Sequence, residues 1–180
     1  VPISPYGVAK YAGELYCQVF SRVYGLEAVA LRYFNIFGPR QDPSSPYSAV
    51  LSKFITAVLK DEPPVVYGDG NQTRDFTYVA NAVDATLRAS TAPGTMAGEV
   101  FNVGTGGRHS LNETLEILAQ ISERKISAKY EAERPGDIRD SLADISKGRR
   151  LLGYEPAVDF EKGLRLTYDW YKNNLKALAW

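Results

Sequence analysis

Glu27-Ala-Val-Ala-Leu-Arg-Tyr-Phe-Asn35 is a short apolar run, the form of a strand buried in a parallel sheet. What precedes it is a helix. Ser4 can cap that helix and Pro5 suits its first position. Val8, Tyr11, Leu15, Val19 and Val23 then recur at spacings of three and four, an apolar stripe of helical period. Gly25 follows as a stop.

The alternation continues outward from this unit. A loop rich in proline covers 38–46, and a helix is predicted over 48–60 until Pro63-Pro64 ends it. Val65-Val66-Tyr67 reads as a strand running into the turn Gly68-Asp69-Gly70-Asn71. A helix over 78–90 and a buried strand over 99–103 come next. Ser110-Leu-Asn-Glu113 is a capping box that opens a helix. A strand over 126–131, a short helix over 145–152 and an amphipathic helix over 161–176 complete the pattern. Helices alternating with strands predict an α/β fold with parallel pairing.

At roughly 150 residues per domain, the 180 residues make one domain or slightly more. The 44% apolar and 23% charged content suits a soluble globular protein. Lys+Arg and Asp+Glu both number 21, which argues against a dedicated nucleic-acid binder. No apolar run approaches the roughly 20 residues needed to cross a bilayer. A single Cys excludes an internal disulfide framework and suits a reducing compartment, so the cytoplasm is expected. One His and one Cys leave no basis for a zinc site, and no metal is expected. The chain enters a helix within six residues of Val1, which predicts the C-terminal portion of a longer protein.

Tyr6-Gly-Val-Ala-Lys10 places a phenol and an ammonium on one helix face. A neighbouring positive charge stabilises a phenolate and so suits the phenol to general-base work. A second such pair, Tyr168 and Lys172, is expected at the surface of the last helix. Gly104-Thr-Gly106-Gly107 tempts a dinucleotide-loop assignment, but the third glycine would fall at His109; for Gly68-Asp-Gly70 it would fall at Thr73. His109 is expected at the surface, and Cys17 buried and inert. Taken singly, Asn35 and Asn102 could close strand ends, Arg74 and Asp75 could form a surface ion pair, and Arg134 and Asp137 could cap a turn.

In combination these stretches resemble a known family. Ser4-Pro5-Tyr6-Gly7-x-x-Lys10, Leu31-Arg32-Tyr33-Phe34-Asn35-x-x-Gly38-Pro39 and Val66-Tyr67-Gly68-Asp69-Gly70-x-Gln72-Thr73-Arg74-Asp75-Phe76-x-Tyr78-Val79 occur in that order. Phe101-Asn102-Val103-Gly104, Arg134-Pro135-Gly136-Asp137 and Leu152-Gly153-Tyr154-x-Pro156 follow. Together they resemble the extended short-chain dehydrogenase/reductase family of nucleotide-sugar epimerases and dehydratases, and most of all the UDP-hexose 4-epimerases. The likeness runs through nearly all of the chain.

The resemblance implies the C-terminal part of a Rossmann-type parallel sheet domain interleaved with a small α/β substrate-binding domain. Residues 1–36, 48–63 and 75–104 would belong mostly to the first, and 37–47, 64–74 and 105–180 mostly to the second. It implies NAD as cofactor, with Tyr6 as catalytic base, Lys10 as its partner and a ribose ligand, and Tyr33 and Phe34 beside the nicotinamide. It implies a UDP-sugar substrate. Asn35, Arg74 and Arg134 would hold the diphosphate, Ala49, Val50, Val65 and Tyr67 the uridine, and Asp137 the ribose hydroxyls. Ser141 would border the sugar pocket, its small side chain leaving room for an N-acetyl group. The implied reaction is oxidation and re-reduction at C4, with a dehydratase or decarboxylase as alternatives. The implied partner is a second copy, paired through the helix bearing Tyr6. The glycine-rich loop and catalytic Ser/Thr would lie upstream of Tyr6, so this chain alone is expected to be inactive. A second class of explanation is an inactive fragment that only binds nucleotide or a partner.

Overall fold

A computed structural model describes residues 2, 4–44, 50–133 and 138–174. Helix α1 spans Pro5–Tyr24. Ser4 caps it, its Oγ accepting from the Gly7 amide at 3.1 Å. Gly25 ends it in the left-handed region at φ 68°, where glycine meets no Cβ penalty. Strands β1 (Ala30–Tyr33) and β2 (Asn35–Phe37) follow, then α2 (Val50–Leu59) and β3 (Val65–Tyr67). Two short strands, β4 (Thr73–Arg74) and β5 (Phe76–Tyr78), lead into α3 (Val79–Ser90). The remainder is β6 (Val100–Val103), β7 (His109–Ser110), α4 (Leu111–Ser122), β8 (Lys129–Glu131), α5 (Ser146–Leu152) and α6 (Phe160–Asn174). The Ser110 cap forms as expected, with Ser110 Oγ accepting from the Glu113 amide at 3.0 Å.

The α/β class holds. Among the described residues β1 pairs with β6, β2 with β5 and β3 with β8, all in parallel, and β4 pairs with β7 in antiparallel. The run from Glu27 to Asn35 is not one buried strand, however. It divides at Phe34. The Phe34 amide donates to the Val103 carbonyl at 3.0 Å and the next amide, of Asn35, to the Asp75 carbonyl at 3.2 Å. The chain thus leaves β6 and joins β5 within one peptide. Arg32 and Tyr33 are exposed, because β1 has one paired edge among the described residues. The strands at 73–78 and 109–110 escaped the sequence pattern because each is three residues or fewer and carries polar residues, so no apolar run like Val65-Val66-Tyr67 marks it.

Two cores hold these layers. The first joins Phe37, Val66 and Phe76 to α2, α4 and α6 through Phe54, Ile55, Leu118, Leu164 and Tyr171. Full burial of such side chains contributes roughly 1.5–3 kcal/mol each. The second gathers Ala82, Ala85, Val103, Ala143, Ile145 and Tyr154, with Leu31, Phe34 and Ile36 against them. Helix α2 packs with α4 and α6, and residues 143–154 pack on α3 and β6.

Three expectations about single residues need correction. Tyr168 is buried in the first core rather than paired at the surface, since it faces inward on α6. His109 is not a surface loop residue. It lies on β7, its ring stacked on Phe160 at 4.3 Å between centroids and its Nδ1 2.8 Å from Glu113 Oε1. Cys17 is only half-buried, on a helix whose apolar stripe is exposed: Val8, Tyr11, Leu15, Val19 and Val23 all face outward.

Candidate active site

Glu14 is the buried residue of α1, 9% exposed. It anchors the helix to β1 by two contacts, Arg32 Nε donating to Oε2 at 2.6 Å and Arg32 Nη2 to Oε1 at 2.7 Å. The paired fork suits guanidinium and carboxylate geometry, and the Glu14 hydrogen bond holds the Arg32 pKa above its ordinary value. One turn earlier on the helix stands Lys10, and a further turn back Tyr6. The Lys10 Nζ lies 5.3 Å from the centroid of the Tyr6 ring, as the i, i+4 spacing requires. Tyr6 is 68% exposed.

Tyr6, Lys10 and Tyr33 line one cavity of about 1070 Å³, together with Glu14, Cys17, Leu31 and Arg32. Tyr33 is steadied by its hydroxyl, 2.7 Å from Thr86 Oγ1 on α3. Phe34 turns the other way and packs against the second core. A phenol pair and an ammonium around an open groove fit the hydroxyls of a ribose and the amide of a nicotinamide.

The residues expected on the substrate side begin one peptide later. Asn35 Nδ2 donates to Ser141 Oγ at 3.1 Å and to the Asp75 carbonyl at 3.4 Å. The Ser141 amide donates to the Thr73 carbonyl at 3.1 Å. Arg74 Nη1 donates to the carbonyls of Thr73 and Arg139 at 2.9 and 3.0 Å. Asn35, Arg74 and Ser141 are therefore neighbours. Val65 and Tyr67 stand on β3 and Val50 opens α2, all half-buried. The Tyr67 carbonyl accepts from Gln72 Nε2 at 2.5 Å. Ala49, Arg134 and Asp137 lie outside the described residues.

Sequence inspection missed Asp75. Far from forming a surface pair with Arg74, it is fully buried. It accepts from the Thr105 and Gly106 amides at 2.8 and 3.0 Å, so the turn at 104–107 cradles a carboxylate of its own chain. That explains why a glycine-rich turn between strand and helix is no dinucleotide loop. Tyr154 supports the same turn, donating to the Gly104 carbonyl at 2.8 Å. Burial, then the charges of Asp75 and Asp84, push its pKa up to about 12. The only sign of Asp75's role was its place in a motif of alternating polar and aromatic residues.

Residues 1–104 match the model of the NAD dependent epimerase/dehydratase family. The chain belongs to that family. A putative UDP-glucose 4-epimerase of Methanocaldococcus jannaschii is 40% identical over 173 residues, 96% of this chain and 55% of the relative. The UDP-glucose 4-epimerase of Thermotoga maritima, solved with UDP-glucose, superposes with a TM-score of 0.92 at 40% identity, covering 97% of this chain and 55% of that one. The UDP-N-acetylglucosamine 4-epimerase of Methanobrevibacter ruminantium, solved with UDP-N-acetylmuramic acid, gives 0.90 at 46% identity with the same coverage. Family relatives at 33–34% identity also include a decarboxylase and dehydratases of nucleotide sugars. The chain spans about half the length of the curated relatives it matches. The matched family is NAD dependent. Among the described residues no helix is long and apolar enough to cross a membrane, and no group of three His, Cys, Asp or Glu is placed to hold a metal.

Proposed function

We propose that the complete protein is a UDP-hexose 4-epimerase, interconverting UDP-glucose with UDP-galactose and UDP-N-acetylglucosamine with its galacto epimer. The observation that carries this is the fork at Phe34. On one side of it Tyr33 faces Tyr6 and Lys10 across a groove; on the other Asn35 touches Ser141. A proton-transfer group and a substrate grip thus meet at the carboxyl end of β1, where open parallel sheets place their ligands.

Tyr6 takes the proton of the sugar's 4-hydroxyl and later returns it, and Lys10 keeps the phenolate charge favourable. Bound NAD supplies the hydride acceptor and donor. Lys10 and Tyr33 would hold its ribose and nicotinamide end. Asn35 and Arg74, with Arg134, grip the diphosphate while the 4-keto sugar turns. Ser141, small and beside Asn35, leaves space for an N-acetyl group. The complete enzyme works in the cytoplasm as a homodimer, each copy covering the exposed face of α1 on the other.

The test is the product of UDP-glucose incubated with the complete protein and NAD. Epimerisation conserves mass and changes only the C4 configuration. Loss of water or of carbon dioxide from a nucleotide sugar, seen by mass spectrometry, would assign the reaction to the dehydratases or decarboxylases among the relatives. No conversion of any nucleotide sugar would leave a protein that only binds.

A further inference from the structure

An ionised carboxylate taken out of water must be compensated by partners. Asp75 has five, all neutral donors. Its Oδ1 accepts from Thr105 N and Thr105 Oγ1, both at 2.8 Å, and from Thr77 Oγ1 at 3.3 Å. Its Oδ2 accepts from Gly106 N at 3.0 Å and Ala143 N at 3.2 Å. Its own carbonyl accepts both the amide and the side chain of Asn35. One residue thus ties together β2, the turn after β6 and the segment that carries Ser141. The approach leaves no space at Gly104, where a Cβ would stand 2.7 Å from Asp75 Oδ2 and collide with Ala143.

We propose that Asp75 is the positioning residue of the substrate side. Its carboxylate acts as the built-in anion of the turn at 104–107, and through Ala143 it fixes Ser141 against Asn35. It touches neither Tyr6 nor Lys10. The inference rests on the nucleotide-sugar assignment above for its kinetic consequence, and on hydrogen bonds alone for its structural one.

Asp75→Asn keeps the shape but turns one acceptor into a donor facing backbone N–H groups. In the complete enzyme, KM for the UDP-sugar should rise at least ~10-fold while kcat changes by less than ~3-fold. A residue that merely stabilised the fold would act oppositely, since a lost folded fraction lowers kcat and leaves KM alone. Hydrogen exchange supplies the second readout. Residues 104–107 and 138–144 should exchange faster together in Asp75→Asn, with α1 unaffected. In Asp75→Ala, added formate should restore both KM and the protection of these segments, because a free carboxylate can occupy the vacated cradle. If wild type converts no nucleotide sugar, the proposed function falls and the exchange result alone decides Asp75. Unchanged KM with reduced kcat, or unchanged exchange at 138–144, would overturn the positioning role.

Discussion

Asn35 and Ser141, 106 residues apart, meet through a 3.1 Å hydrogen bond from the amide of one to the hydroxyl of the other. Asn35 belongs to the grip on the diphosphate, and Ser141 borders the sugar in the proposed enzyme. The contact puts the proposed selectivity position directly beside the proposed anchor. Ser141→Tyr should therefore lower kcat/KM for UDP-N-acetylglucosamine at least ~10-fold and spare UDP-glucose, the range that a pocket-shape change usually commands. Steady-state kinetics on both substrates checks this, and equal losses on the two would discard the gate.

Tyr6→Phe in the complete enzyme should lower kcat at least ~100-fold, since general-base catalysis contributes about 10²–10⁴-fold. UDP-sugar affinity should hardly move, because the substitution leaves the proposed diphosphate grip of Asn35 and Arg74 untouched. Stopped assays with calorimetric binding separate the two quantities, and an undiminished kcat would take Tyr6 out of the mechanism.

The local geometry around the candidate site was legible in the chain itself. The Ser4 cap, the Gly25 stop and the Tyr6/Lys10 spacing are local, and local geometry repeats wherever the residues recur. Arg74, Asn35 and Ser141 were singled out only through the family likeness, since nothing in the spacing shows that Asn35 and Ser141 meet. Asp75 was illegible for the same reason. Its partners come from three separate segments, and a charged residue beside an arginine looks like surface. The burial of Cys17 was also misjudged, because periodicity tells which residues share a side of α1 but not what covers that side.

That face carries the third prediction. Tyr16, Phe20 and Tyr24 form a ladder of rings, with centroids 6.4 and 5.2 Å apart, all exposed. Exposed apolar patches of this kind mark association surfaces. The complete protein should be a dimer by light scattering at micromolar concentration, and Phe20→Glu should shift it toward monomer. A wild-type monomer would contradict the proposed pairing.

The 180-residue polypeptide alone should not bind NAD with micromolar or tighter affinity. A pyrophosphate needs a glycine turn with free amides at a helix N-terminus, and here the amides at 105 and 106 are engaged by Asp75. Calorimetric titration of the polypeptide with NAD tests it, and tight binding would refute it.

Alkaline pH offers a check on Tyr154. Its folded pKa of about 12 lies above the ordinary 10.0, so the folded state holds its proton more tightly than the unfolded one. The stabilisation is complete below pH 10 and is lost as pH rises through about 12. The loss amounts to about 2–3 kcal/mol over that window. Tyr154→Phe should flatten the fall in stability between pH 10 and 12. At neutral pH it should cost about 1 kcal/mol for the lost bond to Gly104. Urea unfolding at several pH values measures both, and an unchanged alkaline slope would show that Tyr154 does not set it.

The ties of Asp75 also impose a timetable. Its donors follow it by 30 residues at Thr105 and by 68 at Ala143. At a synthesis rate of about 5–20 residues per second, Ala143 emerges roughly 3 to 14 s after Asp75. Until Thr105 and Gly106 emerge, their places on the carboxylate are left to water. The contacts at Thr105 and Gly106 become available before the contact at Ala143, so the segment that carries Ser141 is the last of the three to reach Asp75.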